Sequence, residues 1–161
     1  LGVHYPLDVI GGRMSGQAAA ADRLNDPKMR NALDQAAKEL RAEIEWRTGK
    51  SIAQLVASDK PYAPTQQAVA QTTKWNTYDF APIYHRDAPM IVPQAAPTLI
   101  AGSFPQLNYA QRASIIAQTA APAGNPLDWQ AEGGSWQRVN LAAASSAKIR
   151  VEPNGKVTVL R

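Results

Sequence analysis

His4 and Asp8 stand four residues apart in the stretch Gly2-Val3-His4-Tyr5-Pro6-Leu7-Asp8. On a helix, positions i and i+4 share a face about one turn apart. A carboxylate placed there can accept a hydrogen bond from one imidazole nitrogen and fix the tautomer. The other nitrogen is then free to attack or to bind. The same spacing also suits a structural pair that only caps and packs. His85, in Tyr84-His85-Arg86-Asp87, has no helical partner of this sort and reads as a surface loop residue. The chain carries no glycine-rich phosphate loop, no HExxH and no GxSxG. Gly11-Gly12-Arg13-Met14-Ser15-Gly16 falls inside a helical pattern, so its glycines read as packing positions.

The element that must position the pair is a helix predicted from about Pro6 to Leu24, because proline is tolerated in a first turn. Glycines 11, 12 and 16 would each weaken it by about 1 kcal/mol relative to alanine. Close approach of another helix or backbone is the expected compensation. Asn25-Asp26-Pro27 reads as a stop, a cap and a proline at the first position of the next helix. That helix, Pro27 to about Thr48, carries Met29, Leu33, Ala36, Leu40 and Ile44 at spacings of three and four. Its polar face, with Glu39, Glu43, Glu45 and Arg47, reads as solvated, and Gly49 as its terminating glycine. Ser51 is placed to cap a shorter helix to about Ala57, with Ile52, Leu55 and Val56 facing inward.

From Asp59 to Pro97, prolines 61, 64, 82, 89, 93 and 97 forbid one long helix and predict an extended, wrapping connection. A helical turn or two fits Gln66–Thr73. Trp75, Tyr78, Phe80 and Tyr84 are expected to dock this segment on the core. Short helices follow at about Pro97–Ser103 and from an Asn108 cap to about Ala120. In the second, Ala110, Ala113, Ile116 and Ala117 form the buried stripe and Ile115 its edge. Ala121–Gly134 reads as a turn-rich connection around Gly124-Asn125-Pro126. Trp136 then anchors the entry to a short helix at Val139–Ala144. Ile149 and Val151, then Val157 and Val159, alternate with polar residues around Pro153-Asn154-Gly155, a hairpin pattern. The fold class is therefore mainly α: a helical bundle fragment with long Pro-rich wrapping loops and a short C-terminal β-hairpin.

The totals agree. A chain of 161 residues is the size of one domain, and 45 % apolar residues suffice for a core. Only two phenylalanines among many alanines point to helices packed closely through small side chains. The net charge of +4 is spread without a polybasic run, which argues against nucleic acid as a partner. The absence of cysteine excludes disulfides and thiolate metal sites. No apolar run of about 18 residues predicts a membrane span, and no signal peptide is visible.

Gly2-Val3-His4-Tyr5-Pro6-Leu7-Asp8-Val9-Ile10-Gly11-Gly12 resembles the third signature of the type-2 phosphatidic acid phosphatase and vanadium haloperoxidase superfamily, S-R-x5-H-x3-D. A looser resemblance covers much of the rest. Trp75-Asn76-Thr77-Tyr78-Asp79-Phe80, Val92-Pro93, Phe104-Pro105-Gln106-Leu107, Gly124-Asn125-Pro126-Leu127-Asp128 and Trp136-Gln137-Arg138-Val139-Asn140-Leu141 are similar to landmarks in the C-terminal extension of soluble bacterial members.

The resemblance implies that His4 and Asp8 are catalytic. His4 would be the nucleophile that forms a phosphohistidine, and Asp8 the acceptor that orients it. It implies residues 1–58 as the C-terminal part of a helical phosphatase core and 59–161 as an extension packed on it. It further implies an acid phosphatase acting on phosphorylated small molecules without metal or cofactor, periplasmic or secreted. In the haloperoxidase branch the equivalent histidine binds vanadate. The family's Ser-Arg would fall just before Leu1, and its K-x6-R-P and P-S-G-H signatures do not occur in this chain. The expectation is a nucleophile without its cationic clamp, inactive alone and completed by an N-terminal segment. A vanadate-dependent haloperoxidase and a non-catalytic helical interaction module are the alternatives.

Overall fold

A computed structural model describes residues 2–59, 65–83, 85–128 and 133–160. The chain is mainly helical and ends in a two-stranded antiparallel hairpin. Helix α1 spans Pro6–Asn25 and α2 Pro27–Thr48, joined through Asp26, whose side chain accepts a hydrogen bond from the Lys28 amide at 2.9 Å. Gly49 ends α2 at φ 64°, the left-handed geometry that glycine adopts without steric cost. Helix α3 (Ile52–Ser58) opens on a capping box between Ser51 and Gln54. Helix α5 (Tyr109–Gln118) does the same with Asn108 and Gln111. Helix α6 (Leu141–Ser145) is capped by Asn140. Strands β1 (Ile149–Val151) and β2 (Val157–Val159) form the expected hairpin, with Ile149 opposite Val159 and Val151 opposite Val157.

The core lies in the C-terminal half. Ile100, Phe104, Leu107, Ile115, Ile116, Val139 and Val157 form one buried cluster, with Trp136 and Leu141 packed against it. Helix α1 enters through the fully buried Ile10 and Ala21 and rests on two short 3-10 turns, Ala96–Ile100 and Trp136–Arg138.

Several elements differ from the sequence expectations, each for a physical reason. Where a turn or two was expected, α4 runs over Thr65–Thr77, because no proline interrupts that stretch. The expected helix at Pro97–Ser103 is the 3-10 turn Ala96–Ile100 followed by further turns, and α6 begins at Leu141 rather than Val139. In α5, Ile115 is fully buried and Ala110 is exposed, which rotates the inward face toward Ile115 and Ile116. Two of the expected aromatic anchors stay in solvent: Trp75 is 52 % exposed and Phe80 is also exposed, while Tyr78 is half-buried. Tyr84, Pro61 and Pro64 lie outside the described residues.

Amides, not aromatics, fasten α4. Asn76 is fully buried and donates to the Val139 carbonyl at 3.1 Å, and Gln137 donates to the Asn76 carbonyl at 2.7 Å. Asn140 donates to the Thr73 hydroxyl at 3.0 Å. Nearby, the buried Arg138 guanidinium holds the Pro-rich loop by donating to the carbonyls of Ala121, Ala88 and Pro89. Burial lowers its pKa, partly offset by Asp128.

Helices α2 and α3 give the opposite result. No residue of α2 or α3 is buried, and Val56, expected inward, is 69 % exposed. A Cβ added at Gly11, Gly12 or Gly16 would meet nothing within 4 Å, so no close approach within the described chain accounts for these glycines.

Candidate functional site

The start of α1 sets the site. Tyr5 occupies the N-cap in extended geometry without a side-chain capping bond, and Pro6 follows with no N–H to satisfy. The first-turn amides of α1 therefore lack a side-chain acceptor from the cap, leaving the positive end of the helix dipole open. His4 precedes the cap, and Asp8 is the acidic residue of the first turn.

His4 Nδ1 and Asp8 Oδ2 lie 3.2 Å apart, so the structure brings together the two residues singled out by spacing. Both are solvent-reachable, at 68 % and 50 % side-chain exposure. An exposed pair of this kind adds little to stability, well under about 1 kcal/mol. What it fixes is chemistry. With Nδ1–H donating to Asp8, the lone pair of Nε2 is available beside the open N-terminus of α1.

Along the same side of α1 from Asp8, at steps of four, three and four, come Gly12, Ser15 and Ala19, all exposed. This is a smooth, small-residue surface continuous with the pair. The apolar side chains around it, Val3, Tyr5, Leu7 and Val9, are exposed as well.

Among the described residues no cation is presented to the pair. Arg13 lies about 140° round α1 from Asp8. It donates to Gln17 Oε1 and to the Gln137 carbonyl, both at 3.4 Å, and burial lowers its pKa. Arg47 pairs with Glu43 and Lys74 with Asp79, and neither pair reaches His4. Three clefts among the described residues lie away from it. One of about 320 Å³ runs between α2 and the Ala96–Ile100 turn, lined by Leu24, Leu33 and Leu99. His85 is an exposed loop residue, as its sequence context predicts. Among the described residues no three His, Cys, Asp or Glu side chains converge as a metal site, and no helix is long and apolar enough to cross a membrane.

Comparison of the chain with protein families, with curated proteins and with solved structures finds no match. The geometry of the pair therefore carries the functional argument.

The sequence motifs outside the pair sort differently. Of Trp75-Asn76-Thr77-Tyr78-Asp79-Phe80, it is Asn76 that is fully buried and bonded across the fold, and of Trp136 to Leu141 the polar side chains of Gln137, Arg138 and Asn140 are buried and bonded there as well. These residues build the scaffold. Only their polar character next to apolar neighbours could have signalled it, and in sequence that pattern also fits solvent exposure.

Proposed function

We propose that this chain is the C-terminal part of a metal-independent phosphatase. The complete enzyme would hydrolyse phosphate monoesters through a phosphohistidine on His4, and the chain alone would be inactive. The observation that carries the reading is the 3.2 Å contact between His4 Nδ1 and Asp8 Oδ2 at an uncapped helix N-terminus.

In the first step Nε2 attacks phosphorus, the ester P–O bond breaks, and the leaving oxygen takes a proton from water or from a donor on the further segment to depart as the alcohol. Asp8 holds the reactive tautomer and stabilises the imidazolium that forms. In the second step water displaces the phosphoryl group from Nε2 and releases inorganic phosphate. The α1 amides lie at the end of the dipole that favours the phosphate oxygens. Both steps need cations around the three equatorial oxygens. Among the described residues none is held beside the pair, so the reading requires a further segment to bring them. The exposed Gly12, Ser15 and Ala19 surface and the glycines with open space around them support it, because they leave room for another helix to lie against α1 beside the pair. A periplasmic or secreted location follows from the resemblance alone.

The test is to join the chain to the coding sequence immediately upstream of Leu1 and assay p-nitrophenyl phosphate. The expected result is turnover that His4→Ala abolishes and Asp8→Asn lowers by orders of magnitude. Normal turnover by His4→Ala would sink the assignment. Halide oxidation that appears only with added vanadate would move it to the haloperoxidase branch. A second reading, a non-catalytic interaction module, draws on the exposure of the pair and on the unburied α2. It predicts no turnover in any extended form.

A further inference from the structure

Helix α2 has 22 residues and not one is buried, and it touches only α1 and α3 among the described elements. Leu33 is 44 % exposed, Leu40 60 % and Trp46 78 %. Six apolar residues of this helix form a stripe that reads the same in both directions, with Ala32, Ala42 and Trp46 outside it and Met29, Ala37 and Ile44 already half-buried within the chain. Met29, Leu33, Ala36, Ala37, Leu40 and Ile44 are spaced 4, 3, 1, 3 and 4, symmetrical about the midpoint between Ala36 and Ala37. Such a stripe is complementary to a second copy of itself laid antiparallel, with a two-fold axis through that midpoint.

Two charged pairs are complementary across the same axis, although Arg47 and Glu43 also pair with each other at 2.6 Å within each copy. In an antiparallel pair each flank of one helix meets the same flank of its mate, and the two-fold brings position 26 opposite 47 and 28 close to 43. Asp26 then faces Arg47 of the second copy, and Lys28 faces its Glu43. At 100° per residue Lys28 and Trp46 share one side of α2. The Trp46 ring therefore also falls beside Lys28 of the second copy, within reach of a cation–π contact. Each contact occurs twice.

We propose that the exposed face of α2 is an isologous interface between two copies of this chain. A helix of this length is about 33 Å long, and two such faces cover on the order of 1,000 Å², the lower end for a specific interface. Interfaces at this end of the range are commonly weak and transient. This interface lies on α2, away from the His4–Asp8 pair, and does not depend on the phosphatase reading.

The experiment is sedimentation velocity on the 161-residue chain from about 1 µM to 500 µM, with circular dichroism on every variant. The expected result is a concentration-dependent monomer–dimer equilibrium. Leu40→Asp should weaken it by at least about 100-fold at unchanged helicity, since that side chain is already mostly in water before association. Lys28→Glu should weaken it about tenfold, and Lys28→Glu combined with Glu43→Lys should restore it. Monomer throughout the range, a dimer indifferent to Leu40→Asp, or failure of the charge swap to restore association would each overturn the proposal.

Discussion

Replacing Gly134 by alanine should be among the most damaging small changes this fold can suffer. Gly134 sits at φ 76°, and a Cβ there would lie 2.7 Å from the Cα and N of Pro93 and 3.0 Å from the Ile91 carbonyl oxygen. The positive φ alone costs alanine roughly 1–2 kcal/mol. The clash is with backbone, so it cannot be relieved by rotating a side chain. Relief requires parting the strands of loop that the Ser135 N–H to Ile91 carbonyl bond, 2.8 Å long, holds together. Ser135 is fully buried, so losing that bond strands a donor at about 1–3 kcal/mol. The total, about 3–4 kcal/mol, is a large share of a typical domain's 5–15 kcal/mol. It corresponds to a drop in Tm of about 10 °C for a chain of this size. Gly16→Ala is the internal control: its Cβ would meet nothing within 4 Å, and helix propensity favours alanine by about 1 kcal/mol. Thermal and urea unfolding of both variants should therefore move in opposite directions. If Gly134→Ala lies within about 1 kcal/mol of the parent, the close-approach reasoning fails.

Two further contrasts test how the core is held. Asn76→Ala should cost about 1–3 kcal/mol by leaving the Val139 carbonyl without its donor, whereas Trp75→Ala, at a half-exposed ring, should cost under about 1 kcal/mol. Equal costs in urea titration would restore the aromatic as the anchor. Ile115→Ala should destabilise by about 2–5 kcal/mol and Ala110→Ser by less than about 0.5 kcal/mol. The reverse order would show that α5 turns its other face inward.

What the sequence reveals is local. Asp26, Ser51 and Asn108 stand at the caps of α2, α3 and α5 because a short polar side chain before a helical pattern has few other uses. The hairpin follows from two alternating triplets around Pro153-Asn154-Gly155. His4 and Asp8 meet because four residues is one turn. What it hides is tertiary. Ile115 and Ala110 lie about 140° apart round α5, and only the position of the core decides which is buried. Trp75 and Asn76 are neighbours in sequence, yet the amide finds partners across the fold while the indole stays in water. The glycines of α1 are legible as an open surface only once the described chain is seen to leave it bare.

Trapping the intermediate tests whether His4 is the nucleophile. The upstream-extended protein is mixed briefly with a phosphate monoester, quenched in alkali, digested, and mapped by mass spectrometry. The account predicts one acid-labile phosphoryl group on the peptide containing His4, absent in His4→Ala and depleted in Asp8→Asn. An active enzyme whose phosphoryl group resides on another residue, or whose His4→Ala variant still forms the adduct, would contradict it.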